Sequence, residues 1–526
     1  MLIRPAAEDF RTIAGALGRV LIVVASASML PIAVAVIGSE WRPLGSFLLM
    51  TGVLAVLGVG LVRISLASKR VEAMYEEHME WSHGMVVVAL TWILVPLIGS
   101  IPFLLSGHFG GPLDAYFDAM SGLSTTGLAL VQDLDHLAPS LNFWRHLLHF
   151  LGGQGIIIAA LVLFGGRGVH ALFAGEGRED RLLPSVQSTA KAIWAISVLH
   201  LVVGVVTLGL VAYVVLGFDP VRSLFHGLMI FFAAFDTGGF APQSTSLGYY
   251  HSAVFELFTA VLMVAGALSF GLHFRMWNGS ARRTRDRARM HESQDDGKRR
   301  RWIVLRSLET RTILVTFGLT MMLTIFGLAA LGIYTSIGGL SRQGFFQILS
   351  AHTGTGFTTV PSAELRVWGG TAFGGMTIAM ALGGMASSTA GGVKAMRVGL
   401  VVRAIRNRVK GDLLPEGALV DDGFYQFGRH RLTPEVAASA MVVSLLFVAL
   451  FLLGAGMGLI YGVPLDQALF ESVSAGASVG LSAGVTSPTM PALLKLTYIV
   501  QMLLGRLEFV AVFVLVGFVY SWIRGR

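Results

Sequence analysis

The sequence predicts an all-α integral membrane protein. Ten transmembrane helices would form four helix–re-entrant loop–helix repeats in a pseudo-fourfold arrangement, with two extra helices at the N-terminus. Of the 526 residues, 54% are hydrophobic and 13% are charged, with a mean hydropathy of +0.70. A soluble protein carries about 25% charged residues. Two further observations support this class: a set of ten apolar stretches, and a glycine motif that recurs four times.

The apolar stretches have the length that a membrane span requires. A bilayer core takes about 20 apolar helical residues. Nine stretches contain no Asp, Glu, Lys or Arg, and a tenth, 496–523, is apolar except for Arg506 and Glu508. The nine uncharged stretches are residues 20–39, 43–62, 81–113, 146–166, 192–218, 257–274, 312–341, 367–393 and 436–465.

The composition argues against several classes of protein. A soluble enzyme, a disordered tail and a secreted disulfide scaffold all carry more polar or cysteine residues. The chain has no cysteine, which excludes disulfides, thiol catalysis and cysteine-based metal sites. Residues 1–14 include Glu8, Asp9 and Arg11, and the apolar run after Arg19 is too long for the core of a secretory signal.

The distribution of basic residues predicts that both termini lie in the cytosol. This topology leaves six of the 39 Lys and Arg residues in outer loops and Arg506 inside the membrane, which agrees with the positive-inside rule. Eleven acidic residues then lie on the outer side, where we expect them to attract cations modestly. They are Glu40, Asp114, Asp118, Asp133, Asp135, Asp219, Asp236, Glu256, Glu364, Asp466 and Glu471.

Two basic loops lie on the predicted cytosolic side. Residues 275–311 carry twelve bases against five acids, and 394–431 form a second basic stretch. We expect no nucleic-acid partner, because no aromatic residues alternate with these bases. The loops would contact membrane lipid with anionic headgroups or a protein partner, or they would be solvated determinants of topology.

The glycine motif marks an internal repeat. The four loops are residues 124–128, 236–240, 353–357 and 477–481, and their glycines are 112, 117 and 124 residues apart at Gly127, Gly239, Gly356 and Gly480. Each loop follows a short segment that cannot cross a bilayer: 114–123, 221–235, 343–351 or 467–475. The resulting division is 1–70 for two N-terminal helices, 71–170 and 171–280 for repeats 1 and 2, 281–310 for a basic cytosolic loop, 311–410 for repeat 3, and 411–526 for repeat 4.

The glycine loops are the candidate ion site. Irregular backbone at membrane depth must be buried in protein or line a watery cavity, and rings of carbonyl oxygens replace the hydration shell of a cation. Glycine adopts positive φ without cost, so successive carbonyls can point the same way. Ordinary turns are the alternative reading of these loops. The candidate residues, acting through their carbonyls, are Thr125, Thr126, Gly127, Thr237, Gly238, Gly239, Gly354, Thr355, Gly356, Ser478, Val479 and Gly480.

A broken helix and a membrane arginine are the candidate gate. The run 383–392 disfavours a continuous helix, and it would form either a flexible loop that obstructs the path or a close-packed interface of small residues. A charge at the bilayer centre costs about 2.5–3.5 kcal/mol. Arg506 would therefore be a barrier to cations beneath the loops, or a structural arginine paired with a carboxylate from another helix. The candidate loop residues are Gly383, Gly384, Ser387, Ser388, Thr389, Gly391 and Gly392.

Two neighbouring features complete the inventory of polar groups. Glu508 cannot share a helix face with Arg506, so it should have a different partner. His146 and His149 are spaced i, i+3, and we interpret them as packed polar residues rather than a metal site. A membrane-embedded enzyme is disfavoured, because no HExxH, GxSxG or Walker motif stands at a helix mouth.

Several motifs together resemble the TrkH/TrkG/KtrB superfamily of potassium transporters over nearly the whole chain. Besides the four loops, the resemblance lies in residues 143–145, 151–157, 189–191, 383–394 and 505–508. Residues 29–31, in the extra N-terminal helices, are similar to the TrkH branch of the superfamily rather than to the shorter KtrB branch.

The resemblance implies potassium uptake across the bacterial inner membrane, with K⁺ as the transported ion and no covalently bound cofactor. It implies that Gly127, Gly239, Gly356 and Gly480 are the filter glycines and that 383–392 is the gate. It also implies a homodimer with one pore in each protomer, and a cytosolic nucleotide-binding regulatory subunit of the TrkA type. A symporter coupled to H⁺ or Na⁺ is the alternative mechanism. A pure scaffold subunit is a further alternative, and it is disfavoured because such a protein would not need four glycine loops.

Three departures from the family pattern stand out. Asp236 replaces a frequent serine, and its carboxylate would attract cations at the mouth or accept a hydrogen bond from nearby backbone. Gln154 replaces a common methionine and is interpreted as a packing variant. Residues 478–481 are more similar to KtrB loops than to TrkH loops.

Overall fold

The computed structural model describes residues 4–66, 79–155, 186–277, 305–334, 336–415, 422–426 and 428–525. Most of the predicted basic loop 281–310 and the last two residues of the 151–157 motif lie outside the described residues. Apart from the four helices that precede the glycine loops, the main helices of the described parts are Ala7–Ala27, Met29–Ile37, Trp41–Leu66, Trp81–Gly99, Pro139–Gln154, Val186–Val214, Ala253–Ala267, Leu308–Leu331, Gly369–Ala381, Ala395–Leu413, Pro434–Ile460, Ala492–Arg506 and Val510–Arg524.

The described residues contain fewer uninterrupted spans than the ten helices predicted. Six helical segments are long and apolar enough to cross a membrane, or up to eight if two bent pairs each count as one. The predicted span 146–166 continues into residues that the structure does not describe, and the predicted span 367–393 stops being helical after Ala381. The six segments are Ala7–Ile37, Trp41–Leu66, Trp81–Leu104, Val186–Val214, Leu308–Leu331 and Pro434–Ile460.

Two predicted spans are sharply bent. Ala253–Ala267 and Phe270–Trp277 meet at 101°, and Ala492–Arg506 and Val510–Arg524 meet at 107°. At the second bend Glu508 and Phe509 have φ of +50° and +71°, values that an L-residue helix excludes. The segment 496–523, which the sequence predicted as one membrane helix, is therefore a bent pair of helices, because hydropathy reports apolar character and not the backbone conformation.

The N-terminal helices pack closely against each other. Ala7–Ala27 starts well before the predicted residue 20, because its first turn contains the charged residues that a hydropathy window excludes. A Cβ built on Gly18 would lie 2.6 Å from the carbonyl oxygen of Gly58, so these two glycines bring Ala7–Ala27 against Trp41–Leu66. Small residues permit this kind of approach between membrane helices.

The four short segments before the glycine loops are helical, and we call them half-helices I to IV. They contain 12, 16, 17 and 12 residues, or about 18 to 26 Å at the α-helical rise, which is less than the bilayer core of about 30 Å. Each begins before its predicted first residue, because proline or a capping residue starts the helix earlier than its apolar part. Half-helices I to IV are Pro112–Leu123, Pro220–Phe235, Ile337–Thr353 and Leu465–Gly476.

One element departs from the all-α prediction. Gly423–Tyr425 and Arg429–Arg431 form an antiparallel hairpin on the predicted cytosolic side, with Phe424 opposite His430. Phe424 is buried in a small cluster with Leu400 and Leu432. The prediction missed these strands, because three-residue strands are too short to produce a recognisable alternation.

Candidate functional site

The four half-helices end in the same way. In each, the residue that follows a left-handed residue donates its N–H to a carbonyl five residues earlier, as in a Schellman motif. The left-handed residue of each motif is Thr125, Thr237, Gly354 or Ser478, at the start of its glycine loop. The four bonds are Thr126 N to Ser121 O (2.9 Å), Gly238 N to Ala233 O (2.8 Å), Thr355 N to Ser350 O (3.0 Å) and Val479 N to Ser474 O (2.9 Å).

The sign of φ alternates along each glycine loop. The left-handed residues have φ of +55°, +49°, +73° and +54°, and the glycines two residues later have φ of +88°, +71°, +84° and +92°. Alternating handedness turns successive peptide planes so that their carbonyls can share one direction. Three of the four left-handed residues are Thr or Ser, at a cost of about 1 kcal/mol each, so their backbone is held by its surroundings.

The loops meet one another in a closed cyclic order. Each of the four glycines packs against the carbonyl of the residue before the glycine in the next loop, and the last loop contacts the first. A Cβ built on each glycine would collide there: Gly127 at 2.2 Å from Gly238 O, Gly239 at 2.1 Å from Thr355 O, Gly356 at 1.7 Å from Val479 O, and Gly480 at 2.1 Å from Thr126 O. The structure thus brings together residues that are more than 100 positions apart in the chain.

Three further glycines, which sequence reasoning missed as a set, support the half-helix ends. Each lies on the helix that follows its glycine loop, and a Cβ there would overlap a carbonyl at the end of the half-helix. The overlaps are Gly152 with Leu123 O at 1.7 Å, Gly266 with Phe235 O at 2.0 Å, and Gly505 with Gly476 O at 1.9 Å. These three glycines lie 25, 27 and 25 residues after Gly127, Gly239 and Gly480, and this nearly constant spacing is the sequence signal that could have identified them.

The two histidines of Pro139–Gln154 join the first two loops. His149 Nδ1 lies 2.8 Å from the carbonyl of Gly122, and its Nε2 lies 3.3 Å from the N–H of Phe240. The geometry fits the neutral tautomer that donates from Nδ1 and accepts at Nε2. His146 contacts the carbonyls of Asn142 and Phe240, at 2.7 and 3.1 Å. Both side chains therefore act as packed polar groups.

Buried carboxylates hold the chain as it leaves two of the loops. Asp118, nine residues before Gly127, accepts from the N–H of Leu130 at 2.9 Å and from Nε of Arg145 at 2.8 Å. Glu471, nine residues before Gly480, accepts from the N–H groups of Ala483 and Val485 and from two hydroxyls. Sequence reasoning assigned neither carboxylate to this role.

These contacts correct the prediction that the outer acids attract cations together. Five of the eleven are buried and already have partners: three form an ion pair with a basic side chain, and two accept hydrogen bonds from neutral groups. The hydrogen bond from His136 also lowers the pKa of the exposed Asp133 carboxyl, which is paired as well. The buried pairs are Asp114 with Lys495, Asp118 with Arg145, Asp236 with Gln154, Glu256 with Arg342, and Glu471 with backbone amides.

Asp236 and Gln154, the two departures from the family pattern, contact each other. Gln154 Nε2 donates to Oδ1 of Asp236 at 2.6 Å, and Gln154 Oε1 accepts from the hydroxyl of Ser197. Asp236 is the C-cap of half-helix II and is fully buried. It therefore does not lie at an open mouth, and Gln154 is a hydrogen-bonding residue and not merely a packing variant.

The predicted break in the helix over 367–393 is present. After Ala381 the chain leaves the helix, Leu382 pairs with Val393, and the residues between them form what we call the gate loop, 383–392. Its backbone fills the bend between Ala253–Ala267 and Phe270–Trp277. The bonds are Met385 N to Ala267 O (3.0 Å), Phe270 N to Ser387 O (3.2 Å) and Thr389 N to Gly266 O (3.2 Å).

The gate loop lies against the carboxyl ends of three half-helices. The hydroxyl of Thr389 lies 2.9 Å from Phe235 O, at the end of half-helix II. A Cβ built on Gly391 would lie 2.2 Å from Ala477 O, next to half-helix IV. A Cβ built on Gly354, directly after half-helix III, would lie 3.6 Å from the Cβ of Ala390. The loop is therefore packed closely against the ends of these half-helices, as its alternative interpretation predicted.

Within the loop, the remaining candidate residues fix its shape. A Cβ on Gly383 would lie 2.0 Å from Gly391 O, and one on Gly384 would lie 2.8 Å from Ala267 O. Ser388 donates its hydroxyl to Met385 O at 2.6 Å, and Gly392 has φ of +70°. Ser387 adopts φ of +55° without being glycine, so this loop too contains a backbone conformation that its neighbours impose.

Three charged side chains bind the main chain of the gate loop. Arg506 donates from Nη1 to Thr389 O and from Nη2 to Gly152 O, both at 2.7 Å. Lys394 donates to Ala390 O, and Glu309, which sequence reasoning missed, accepts from Ala386 N at 2.6 Å. Arg506 thus binds main-chain carbonyls.

Glu508 has the separate partner that the sequence predicted. It forms an ion pair with Arg397, which lies on Ala395–Leu413 directly after the gate loop. Glu508 thus binds the helix that follows the gate loop, whereas Arg506 binds the loop itself at Thr389.

Apolar spans that surround four half-helices, with their glycine loops in contact, define a multi-pass membrane transport protein. A family model described as TrkH, cation transport protein, matches residues 59–519. The chain belongs to the TrkH family of cation transport proteins, as its motifs suggested.

Individual relatives agree with this assignment. The chain is 27% identical to the Trk system potassium uptake protein TrkH of Escherichia coli K12 over 444 residues, which are 82% of this chain and 84% of the relative. It is 28% identical over 449 residues to the TrkH of Halomonas elongata, which covers 82% of this chain and 84% of the relative. The crystal structure of the potassium transporter TrkH from Vibrio parahaemolyticus shares the fold with a TM-score of 0.78 at 24% identity, covering 96% of this chain and 98% of that one.

Proposed function

We propose that the protein carries K⁺ into the cell through a selectivity filter made by the four glycine loops. The observation that carries the proposal is the cyclic contact in which each filter glycine touches the carbonyl of the next loop. Four inward-facing sets of carbonyl oxygens can replace the hydration shell of a bare K⁺. The ion is the substrate, and the protein needs no covalently bound cofactor and performs no enzymatic reaction.

Twelve residues line this proposed filter through their carbonyls. Positive φ at every second position supports a common direction for those oxygens. The buried hydrogen bonds of Asp118, His149 and Glu471 keep the loops from collapsing onto the ion position. The residues are Thr125, Thr126, Gly127, Thr237, Gly238, Gly239, Gly354, Thr355, Gly356, Ser478, Val479 and Gly480.

The gate loop and Arg506 close the path on its inner side. The loop lies against the ends of half-helices II to IV, and Arg506 holds it through Thr389 O. A fixed positive charge beside the path also opposes the entry of a cation. Opening requires the loop to move away from the ring, with loss of the Arg506 bond.

The resemblance to the family supports a proposal for the wider assembly. Both termini lie in the cytosol and the protein resides in the bacterial inner membrane, as a homodimer with one pore in each protomer. A cytosolic nucleotide-binding subunit of the TrkA type docks on the inner face. The chain divides into the six segments given above, with the four repeats placed around one pseudo-fourfold axis.

A symporter coupled to H⁺ or Na⁺ is the second candidate. The observation that favours it is Asp236, a buried carboxylate at the C-cap of half-helix II and next to the ring. Coupled transporters commonly place ionisable groups at membrane depth. In the channel-like mechanism Asp236 only orients Gln154.

Ion flux into proteoliposomes tests the proposal. Purified protein is reconstituted, and uptake of K⁺, Rb⁺, Na⁺ and Li⁺ is measured with and without a proton gradient. We expect uptake of K⁺ and Rb⁺ down their own gradients, with little Na⁺ or Li⁺. Uptake that strictly requires a proton or sodium gradient would instead establish the symporter, and equal uptake of all four ions would contradict a carbonyl filter.

A further inference from the structure

The gate loop is connected to the surface hairpin by two side chains. We propose that Glu309 is a positioning residue of the gate and that, through Gln426, the hairpin of strands Gly423–Tyr425 and Arg429–Arg431 sets the position of the gate loop. The inference rests on the proposed function, because it assigns a control element to the gate of the same pathway. Three segments far apart in the chain meet here, at Glu309, Ala386 and Gln426.

Glu309 uses its two carboxylate oxygens for two different elements. It lies in the first turn of Leu308–Leu331 with 1% of its surface exposed. Oε1 accepts from the N–H of Ala386 at 2.6 Å, and Oε2 accepts from Nε2 of Gln426 at 2.5 Å. A carboxylate is favoured at a helix N-terminus, where the peptide dipoles are positive. One charged group therefore links the gate loop to the hairpin directly.

Gln426 is fixed in the orientation that this link requires. Its Oε1 accepts from the hydroxyl of Ser307 at 2.6 Å, while its Nε2 donates to Glu309. The residue lies at the turn of the hairpin, where its N–H donates to Gly428 O at 2.8 Å. Any displacement of the hairpin turn therefore changes the partner of the Glu309 carboxylate.

The hairpin has both a buried side and a surface side. Phe424 anchors it among Leu400 and Leu432, while the strand Arg429–Arg431 is exposed along its length. This strand is the part of the gate mechanism that molecules outside the membrane can reach. Its two arginines, Arg429 and Arg431, would be attracted to a negatively charged surface.

The gate loop has space to respond. A cavity of about 190 Å³ lies beside it and is lined in part by Ala386, Lys394, Arg397 and Glu508. Ala386 is the residue whose N–H Glu309 binds. When the Gln426 bond is lost, the Glu309 carboxylate loses one of its hydrogen-bond partners, and the adjoining cavity gives Ala386 room to move.

The hydrogen bond between Glu309 and Gln426 can be tested by exchanging the two side chains. In Glu309→Gln the new amide oxygen can still accept from Ala386 N. Its NH₂ group, however, faces the NH₂ group of Gln426, and two donors cannot form a hydrogen bond with each other. In Gln426→Glu two carboxylates face each other, which is charge against charge. The double variant Glu309→Gln/Gln426→Glu restores one donor and one acceptor with the same net charge, and the new carboxylate still accepts from Ser307.

Thiol accessibility of the gate loop tests the proposal. The chain has no cysteine, so Ser387→Cys places a single thiol in the loop. The Ser387 hydroxyl is buried and has no hydrogen-bond partner among the described residues, so this change removes no bond there. The rate of modification by a membrane-impermeant maleimide is measured on inside-out vesicles for the parent, both single variants, the double variant and the control Glu435→Gln, which alters an exposed carboxylate on the same side.

We expect each single variant to be modified about fivefold faster or more than the parent, and the double variant and Glu435→Gln to stay within about twofold of it. Unchanged single variants, or a double variant as fast as the single variants, would overturn the link. If a single variant does not fold, a folded double variant with the parental rate supports the pairing. Rb⁺ flux is recorded in parallel. Altered accessibility with unaltered flux would refute the gate while leaving the link intact.

Discussion

At the scale of single residues, the site is built from glycines and from charges that bind main chain. A side chain at Gly127, Gly239, Gly356 or Gly480 would overlap the next loop, so the ring needs glycine for space as well as for φ. Arg506, Lys394 and Glu309 bind peptide groups of the gate loop. Hydrogen bonds to charged groups contribute about 1.5–3 kcal/mol each, so single substitutions here should shift the balance between closed and open pathways.

Gly356→Ala should reduce Rb⁺ uptake by at least about tenfold, and it should also reduce the preference for K⁺ over Na⁺. The added Cβ would lie 1.7 Å from Val479 O on a backbone with φ of +84°, so the carbonyls must move. The measurement is uptake into proteoliposomes at equal protein incorporation. Gly52→Ala is the control, because a Cβ there meets nothing within 4 Å. Normal selectivity in Gly356→Ala would remove this loop from the filter.

Arg506→Ala should raise cation flux, by about tenfold or more. The substitution removes two hydrogen bonds that hold Thr389 and Gly152, and it removes the fixed charge beside the path. Initial rates of Rb⁺ uptake give the measurement. Arg63→Ala is a control that removes one exposed positive charge far from the loop. Unchanged flux in folded Arg506→Ala protein would show that this arginine is no barrier.

At the scale of elements, a loop that replaces part of a helix lies in the bend of another helix. The gate loop bonds to Gly266, Ala267 and Phe270, so the break at 383–392 and the bend after Ala267 satisfy each other's free backbone groups. Buried peptide groups without partners are costly. The two irregular segments are therefore one structural unit, and movement of the loop exposes peptide groups of the bend.

Gly391→Ala should push the gate loop away from half-helix IV and raise Rb⁺ flux severalfold. A Cβ there would lie 2.2 Å from Ala477 O and 2.9 Å from Ser478 Cβ, whereas one on Gly374 would meet nothing within 4 Å. Gly374→Ala, in the helix that leads into the loop, is thus the matched control. Flux equal to that of the parent in both variants would place the obstruction elsewhere.

The elements that the sequence predicted well are those with a local signature. The four glycine loops share spacing and residue type, and the break at 383–392 contains four glycines. Contacts between distant segments had no such signature. Gln154 and Asp236 are 82 residues apart, and Glu309 and Gln426 are 117 apart, so only the folded chain reveals these pairs. The bend after Arg506 was missed because Glu508 and Phe509 look like ordinary helical residues.

At the scale of the whole molecule, the predicted topology places the exposed loop around His136 and the basic helix Ala395–Leu413 on opposite sides of the membrane. His136 follows the first glycine loop, and its hydrogen bond with Asp133 raises its pKa. Lys410 is exposed near the end of the basic helix. The positive-inside rule assigns the helix to the cytosol.

Single cysteines can test this topology, because the chain contains none. We expect a membrane-impermeant thiol reagent to label His136→Cys in intact cells, and Lys410→Cys only after the membrane is permeabilised. The cysteine-free parent protein, treated in the same way, is the background. Labelling of Lys410→Cys in intact cells would invert the topology and the assignment of the gate to the inner side.

Because one chain supplies all four quarters of the ring, the quarters need not be identical. Directly before the left-handed residue at the end of each half-helix, the chain has Ser124, Asp236, Thr353 and Ala477: a hydroxyl, a carboxylate, a second hydroxyl and a methyl group. A tetramer of identical subunits cannot vary one position alone, since every substitution appears four times. Here each quadrant can diverge independently, so the four half-helix ends differ in polarity, and a carboxylate stands at one of them alone.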